Sequence, residues 1–414
     1  MTPHRFDLVV FGATSFVGQI LTRYLAEHLA EQHSPLRWAI AGRSASKLDE
    51  LKQSLGAAGA SLPVVVADAA NEAQLREMCT QTRVVVSTVG PYALYGEPLV
   101  RVCAETGTDY CDLTGEAQWI RQMIDRYGAQ AQQSGARIVH CCGFDSVPSD
   151  MGTWFLQQQF QQKWGTPASE VKMRVKRLKG GVSGGTVASM VHAVSEATQD
   201  PALRRELRNP YSLCPPDTAA RPRQHAVMGA EYDPDFQAWI APFVMAVVNE
   251  RVVLRTNALS DKAYGANFTY NEATLTGTGL TGRLAALGMA IGLGGFMVGV
   301  ALKPTRALLE RFVLPKPGEG PSPQQQLTGR YDLRFFGRSA QGQTLQVKVT
   351  GDRDPGYGST GKMLGQAALS LALDHVQDGA KVGRGGGFWT PATLFDARYI
   401  ERLTRHAGLR FELC

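Results

Sequence analysis

The chain has 414 residues, 44% of them hydrophobic, and its 43 Lys and Arg against 37 Asp and Glu give a formal net charge of +6. That length exceeds one ordinary core and implies two or three lobes, and the positive excess is spread without a basic tract, which excludes nucleic acid as the natural partner. The seven cysteines are odd in number and contain no C-x-x-C pair, and the N-terminus shows no signal-peptide pattern, so a reducing cytoplasm is expected.

The opening run FDLVVF reads as a buried strand and passes directly into Gly12, Ala13, Thr14, Ser15, Phe16, Val17 and Gly18, ahead of the helical pattern QILTRYLAEHLAEQ. Strand, tight turn and helix N-terminus together favour a dinucleotide pyrophosphate, because unpaired helix N–H groups and the helix dipole both attract an anion. The spacing is G-x-x-S-x-x-G, so Ser15 stands where a further glycine would admit the closest backbone approach. Its side chain is small and its hydroxyl can donate to phosphate; the alternative is a glycine-started turn that holds no ligand. The second strand, LRWAIAGR, ends at Arg43, with Lys47 one helical turn on. A guanidinium at the ribose-reading position suits a 2′-phosphate, whose oxygens it can grip bidentately, so NADPH is expected over NADH. A solvated arginine opening a helix is the bland alternative. A third strand, LPVVVADA, ends in Asp68, expected near adenine. The fourth, RVVVSTVG, leads into Val89, Gly90, Pro91 and Tyr92, expected near the nicotinamide.

Four β-α repeats in under about a hundred residues imply an α/β fold with a doubly wound parallel sheet. Beyond Tyr92 the chain reads as a helix, a short strand at TDYCDL, a long amphipathic helix from Ala117, and a strand ending in the polar turn GFDSVPSDMG. The set GATSFVG, AGR, STVGPY, YCDLTGE and GFDSVPSDMG resembles the saccharopine dehydrogenase-like oxidoreductases, in particular the branch that includes bacterial trans-acting enoyl reductases. The resemblance continues through SGGTVASM, APFVMAVVNERVV, GYGSTGKMLGQAAL and GGGFWTPA, nearly the whole chain. It implies an NAD(P)-binding Rossmann domain over residues 1–147, a second α/β or α+β domain covering the cofactor over residues 148–385, and a C-terminal segment, 386–414, that packs back on the first domain.

No Tyr-x-x-x-Lys pair, nucleophile elbow or metal-ligand cluster stands out, so catalytic candidates come from loops at the carboxyl ends of strands. Tyr92 and Tyr95 follow the fourth strand and offer a hydroxyl to an enolate or carbonyl, or else pack against the nicotinamide or a domain seam. Asp112, Thr114 and Glu116 form a second polar cluster, in which Thr114 and Glu116 can alternatively cap the helix from Ala117. Asp145 lies at the mouth of a strand as a substrate-side candidate, beside Ser146, Ser149 and Pro148, which can open a helix. His140 reads as a hydrogen-bonded core residue. Gly184, Gly185 and Thr186 can hold a carbonyl or form a plain turn. Residues 201–234 read as a long irregular excursion and residues 314–326 as a linker.

The uncharged segment 284–302, flanked by Arg283 and Lys303, is just long enough to span a bilayer. The hairpin strands expected after it need the preceding domain to pair with, which favours a membrane-docking helix or hairpin, or a lid on a lipid pocket, over a span; a buried helix is the other reading. The expected activity is NADPH-dependent hydride transfer to an enoyl or related unsaturated carbonyl of an acyl or lipid-like substrate, in the cytoplasm, with peripheral contact at the inner face of the membrane and a homodimer both compatible. The alternatives are a saccharopine-type imine or amino-acid dehydrogenase, and an inactive nucleotide-binding scaffold associated with lipid.

Overall fold

Parallel strands covered on both faces require near-continuous apolar sequence, and FDLVVF and WAIAG supply it. In the computed structural model these become β1 (Phe6–Phe11) and β2 (Trp38–Gly42), followed by β3 (Val64–Val66), β4 (Thr82–Ser87), β5 (Asp109–Asp112) and β6 (Arg137–Val139). Further strands are β7 (Ala168–Lys179), β8 (Glu231–Asp233), β9 (Ala238–Pro242), β10 (Thr269–Gly277), β11 (Arg330–Ser339) and β12 (Thr344–Gly351). The last are the short pair β13 (Val376–Gln377) and β14 (Ala380–Lys381), then β15 (Gly387–Trp389) and β16 (Leu409–Leu413). The structure describes residues 4–180, 191, 198, 200–217, 220–312 and 320–414.

The chain divides into two compact units. The first comprises Met1–Phe144, Gly318–Gly320 and Gly356–Ala407. Its sheet runs β15-β6-β5-β4-β1-β2-β3 with every neighbour parallel, the doubly wound order extended by one strand. Helix α1 (Phe16–Glu31) buries Leu21, Leu25 and Leu29, one side chain per turn.

The return to this unit begins at Gly356, well before the expected residue 386, and the last seven residues leave it again. The helix Thr360–Leu369 explains the early return. It is buried on nearly every side, its Gln366 donates to the Tyr24 hydroxyl of α1 at 2.6 Å, and its Met363 carbonyl accepts from Tyr399 at 3.0 Å. An apolar helix of that kind has to be enclosed, and α1 supplies a wall. The expected boundary at 147/148 falls at 144/145.

The second unit comprises Asp145–Pro317, Pro321–Pro355 and Gly408–Cys414. Its sheet runs β16-β12-β11-β7-β10-β9-β8, antiparallel except for the β7 and β10 pair. Along β11 the apolar side chains alternate, so Tyr331, Leu333 and Phe335 share one buried face. Leu156 and Phe160 of the helix Val147–Trp164 pack onto Gly337 of the same strand. β16 pairs with β12, which is why the C-terminus ends here and not on the parallel sheet. The expected excursion 201–234 contains the helix Pro201–Arg208 and β8, and Arg251 donates to the Ser212 hydroxyl at 3.0 Å within it. The end of the expected linker is a helix, Pro323–Thr328, opened by a capping box between Ser322 and Gln325; residues 313–319 lie outside the described residues.

The helix Ala246–Leu259 carries buried polar side chains into this unit. Asn249 donates to Glu272 at 2.8 Å, Tyr270 donates to the same carboxylate at 2.7 Å, and the Glu272 amide donates to Glu250 at 3.1 Å. Burial, and next the neighbouring Glu272, push the Glu250 carboxyl up to about 8. A folded-state value above the ordinary 4.5 means that the folded protein holds the proton more tightly, so this stability is complete below about 4.5 and lost as pH rises towards 8. Glu250→Gln keeps the acceptor and removes the ionisation. The urea midpoint of the parent is expected to fall between about pH 6 and about pH 9, and that of E250Q to fall less; equal falls would show that Glu250 does not ionise in this window.

Candidate functional site

The turn after β1 is shaped by two close approaches. Gly12 has φ +82°, and a Cβ there would lie 2.6 Å from Val89 Cγ2 and 2.9 Å from Thr88 Oγ1. A Cβ on Gly18 would overlap the Gly12 carbonyl oxygen. Both positions therefore require glycine, and together they press the first turn of α1 onto the ends of β1 and β4.

Ser15 is the N-cap of α1. Its hydroxyl accepts from the Gly18 amide at 2.9 Å and donates to Thr88 Oγ1 at 3.0 Å, while Thr88 Oγ1 donates to the Gly12 carbonyl at 2.9 Å. Here the Ser15 proton is directed to Thr88, so its hydroxyl serves the turn. Gly12 and Ala13 donate their amides to the Ala41 carbonyl of β2 at 2.9 and 3.1 Å. The half-buried residues Thr14, Phe16 and Val17 keep amides that make no hydrogen bond among the described residues. Three backbone donors at the positive end of a 16-residue helix fit a pyrophosphate.

Beside this turn, the Gly42 carbonyl accepts from the Ala67 amide at 3.0 Å, bringing the ends of β2 and β3 together. Arg43 and Lys47 are exposed and make no ion pair among the described residues, while Ser44 caps the helix Ala45–Ser54. Two cations at the end of β2 fit a 2′-phosphate better than a ribose hydroxyl. Asp68 lies two residues past β3, where one carboxylate oxygen accepts from the Ala70 amide at 2.9 Å and closes a turn.

At the end of β4, half-buried Val89 and Pro91 and exposed Gly90 follow Thr88, and Tyr92 turns inward. Tyr92 is buried and donates to the Ser87 carbonyl at 3.0 Å, with its ring 5.5 Å from that of Trp119; burial holds its hydroxyl well above the ordinary value. This is the packing role, and it corrects the expectation of Tyr92 as a proton donor. Tyr95 is 51% exposed and its hydroxyl has no partner among the described residues.

Glu116 was expected to cap the helix Ala117–Ser134, yet its carboxylate accepts from the Tyr92 and Ala93 amides at 2.9 and 2.8 Å. It clamps the turn that presents Tyr95. Thr114 accepts from the Glu116 amide at 3.2 Å, and Asp112 accepts from Tyr110 at 2.9 Å and pairs with His140 at 2.7 Å, so His140 is a hydrogen-bonded core residue. Thr88 and the clamping role of Glu116 escape sequence reasoning because both depend on contacts across more than twenty residues.

Asp145 opens the second unit. It makes no hydrogen bond or ion pair among the described residues, and desolvation pushes its carboxyl up to about 7. Ser146 donates to Asn249 at 2.9 Å, and does not cap the helix from Val147 with its side chain. Gly184, Gly185 and Thr186 lie outside the described residues, and no group of three or more metal-ligating side chains occurs among the described ones.

Residues 8–139 match the family described as the saccharopine dehydrogenase NADP binding domain. A candidate trans-acting enoyl reductase of Mycobacterium tuberculosis is 39% identical over 411 residues, covering 97% of this chain and 96% of its own. The trans-acting enoyl reductase of Mycobacterium ulcerans is 36% identical over 410 residues, covering 96% and 95%. Among solved structures, apo saccharopine dehydrogenase (L-Glu forming) of Saccharomyces cerevisiae aligns over 98% of this chain and 99% of its own, with TM-score 0.51 at 13% identity, a likeness of fold.

If Ser15 serves the turn and not the ligand, Ser15→Ala lowers stability by about 1 kcal/mol and weakens NADPH binding by less than about threefold. Thermal denaturation and calorimetric titration of the variant check both. A loss of affinity beyond about tenfold at unchanged stability would instead assign the hydroxyl to the phosphate.

Proposed function

Because the chain belongs to the saccharopine dehydrogenase-like oxidoreductases, in the trans-acting enoyl reductase branch, and is an NADP-dependent oxidoreductase, we propose that it reduces an enoyl or related α,β-unsaturated carbonyl carried on an acyl chain of lipid or polyketide type. The observation that carries this reading is the chemistry of the loops beyond β4, β5 and β6. Residues 88–97, 113–118 and 140–150 contain no Lys or Arg, yet they include Tyr95 and Asp145. An amino-dicarboxylate substrate would need cations converging on its carboxylates. A conjugated carbonyl needs one hydrogen-bond donor and one proton.

NADPH, held by the turn after β1, would supply a hydride to the β-carbon of the conjugated carbonyl, leaving an enolate to be protonated. The amides of Thr14, Phe16 and Val17 orient the pyrophosphate, and Arg43 with Lys47 favours the 2′-phosphate and so NADPH over NADH. Tyr95, on the turn clamped by Glu116, donates a hydrogen bond to the oxygen on which charge develops. Asp145 keeps its proton close to neutrality because its anion is desolvated, and delivers it to the α-carbon of the enolate. The product is the saturated acyl carbonyl.

NADPH oxidation is expected to depend on an added 2-enoyl thioester. kcat should decline as pH rises through about 7, where Asp145 loses its proton. Asp145→Asn should lower kcat by about 10²- to 10⁴-fold and remove that decline, and Tyr95→Phe should lower kcat with NADPH affinity intact. Oxidation driven by a 2-oxo acid with an amino acid, and by no enoyl thioester, would replace this reading with imine reduction.

A further inference from the structure

The helix Gly279–Ala301 combines three observations that its own packing does not account for. It is 23 residues long, about 34 Å at 1.5 Å per residue, and almost all of it is exposed. Leu280, Leu284, Ile291 and Val298 are each more than half exposed, and their spacing of four, seven and seven residues puts them on one face of the helix. Its first turns are anchored, where Thr276 of β10 donates to the Gly282 carbonyl at 2.9 Å and Ala286 is buried, and Val300 is buried in its last turn. Soluble proteins seldom expose so continuous an apolar surface without a partner for it.

The topology excludes a single crossing of a bilayer. β10 precedes the helix and β11 follows it, and both pair with β7, so the chain has to leave and return on one side. The return starts at Leu302, where Thr305 donates to the Gly299 and Leu302 carbonyls at 2.6 and 3.0 Å, and a second helix, Lys303–Phe312, begins.

Charge fixes the orientation. From 279 to 309 the only charged residues are Arg283, Lys303 and Arg306, all cationic. Arg283 lies over the Trp239 ring at 5.3 Å, and Trp239 packs edge-on with the exposed Tyr232 at 5.9 Å. An arginine with Trp and Tyr is the grouping that settles at the headgroup level of a membrane. Cations thus mark both ends of the helix, and a deeply inserted tip would drag Arg306 into hydrocarbon. With both ends at headgroup depth, the helix lies along the surface.

We propose that the helix Gly279–Ala301, with the helix that follows it, docks in the plane of an anionic lipid bilayer. Ile291, Val298 and their neighbours enter the acyl region, and Arg283 and Arg306 meet lipid phosphates. The docking rests on these helices alone and is independent of which carbonyl the protein reduces.

The test is co-sedimentation of the full chain with vesicles of phosphatidylcholine alone and of phosphatidylcholine with phosphatidylglycerol. Binding is expected for the anionic vesicles, falling with added salt, and released by alkaline carbonate. The double variant Ile291→Asp, Val298→Asp should bind more than about tenfold less, and Arg283→Glu, Arg306→Glu roughly tenfold less. Unchanged NADPH affinity in each variant shows that it is folded. Failure of the folded parent to bind either vesicle overturns the proposal, as does binding that the aspartates leave unchanged. Carbonate-resistant binding would mean that the segment inserts deeply as a hairpin, and a dimer in light scattering that the aspartates dissolve would make a second copy the occupant; either result overturns it.

Discussion

Gly18, in the first turn of α1, lies so close to the carbonyl of Gly12 at the end of β1 that a Cβ would overlap it. Everything at the nucleotide turn follows from that approach. It leaves no room for a Cβ on Gly18, as Val89 and Thr88 leave none on Gly12, sets the helix against the strand ends, and leaves the amides of Thr14, Phe16 and Val17 with no partner among the described residues. The Ser15 and Thr88 hydroxyls complete the arrangement by tying the turn to β4, the strand on the other side of the switch point. Backbone packing thus leaves amides where an anion can meet them, and Arg43 and Lys47 are the cations we propose for the 2′-phosphate.

The same economy runs through the polar groups nearby. Glu116 spends both carboxylate oxygens on the amides before Tyr95, and Asp112 is shared among Tyr110, His140 and backbone amides. Buried carboxylates with this many donors hold loops in place. Asp145 is different: it is desolvated with no donor among the described residues, and its carboxyl is pushed up to about 7. Position and environment, more than residue type, separate the acids that hold loops from the one we propose as proton donor.

Much of this was legible in the sequence. The strands β1 to β6, the glycine turn and the place of Arg43 at the end of β2 follow from local periodicity and spacing, because a parallel strand buried on both faces leaves an unbroken apolar run. The hairpin β11 and β12 followed from alternation. What escaped was non-local. The helix Thr360–Leu369 looks like any apolar helix, and only its packing on α1 shows that the chain has already returned to the first unit by Gly356. Tyr92 and Tyr95, three residues apart, are equivalent in sequence; the turn between them buries one hydroxyl and exposes the other. Glu116 sits where a helix cap belongs, yet it serves amides more than twenty residues earlier.

The central claim is that the turn after β1, completed by Arg43, binds NADPH. Calorimetric titration of the protein with NADPH and with NADH, on the parent and on Arg43→Ala, tests it most directly. The account predicts tighter binding of NADPH by the parent and an affinity in Arg43→Ala that falls to the level of NADH, whose own affinity is unchanged. Equal affinity for both nucleotides in the parent, or no binding of either, would contradict it.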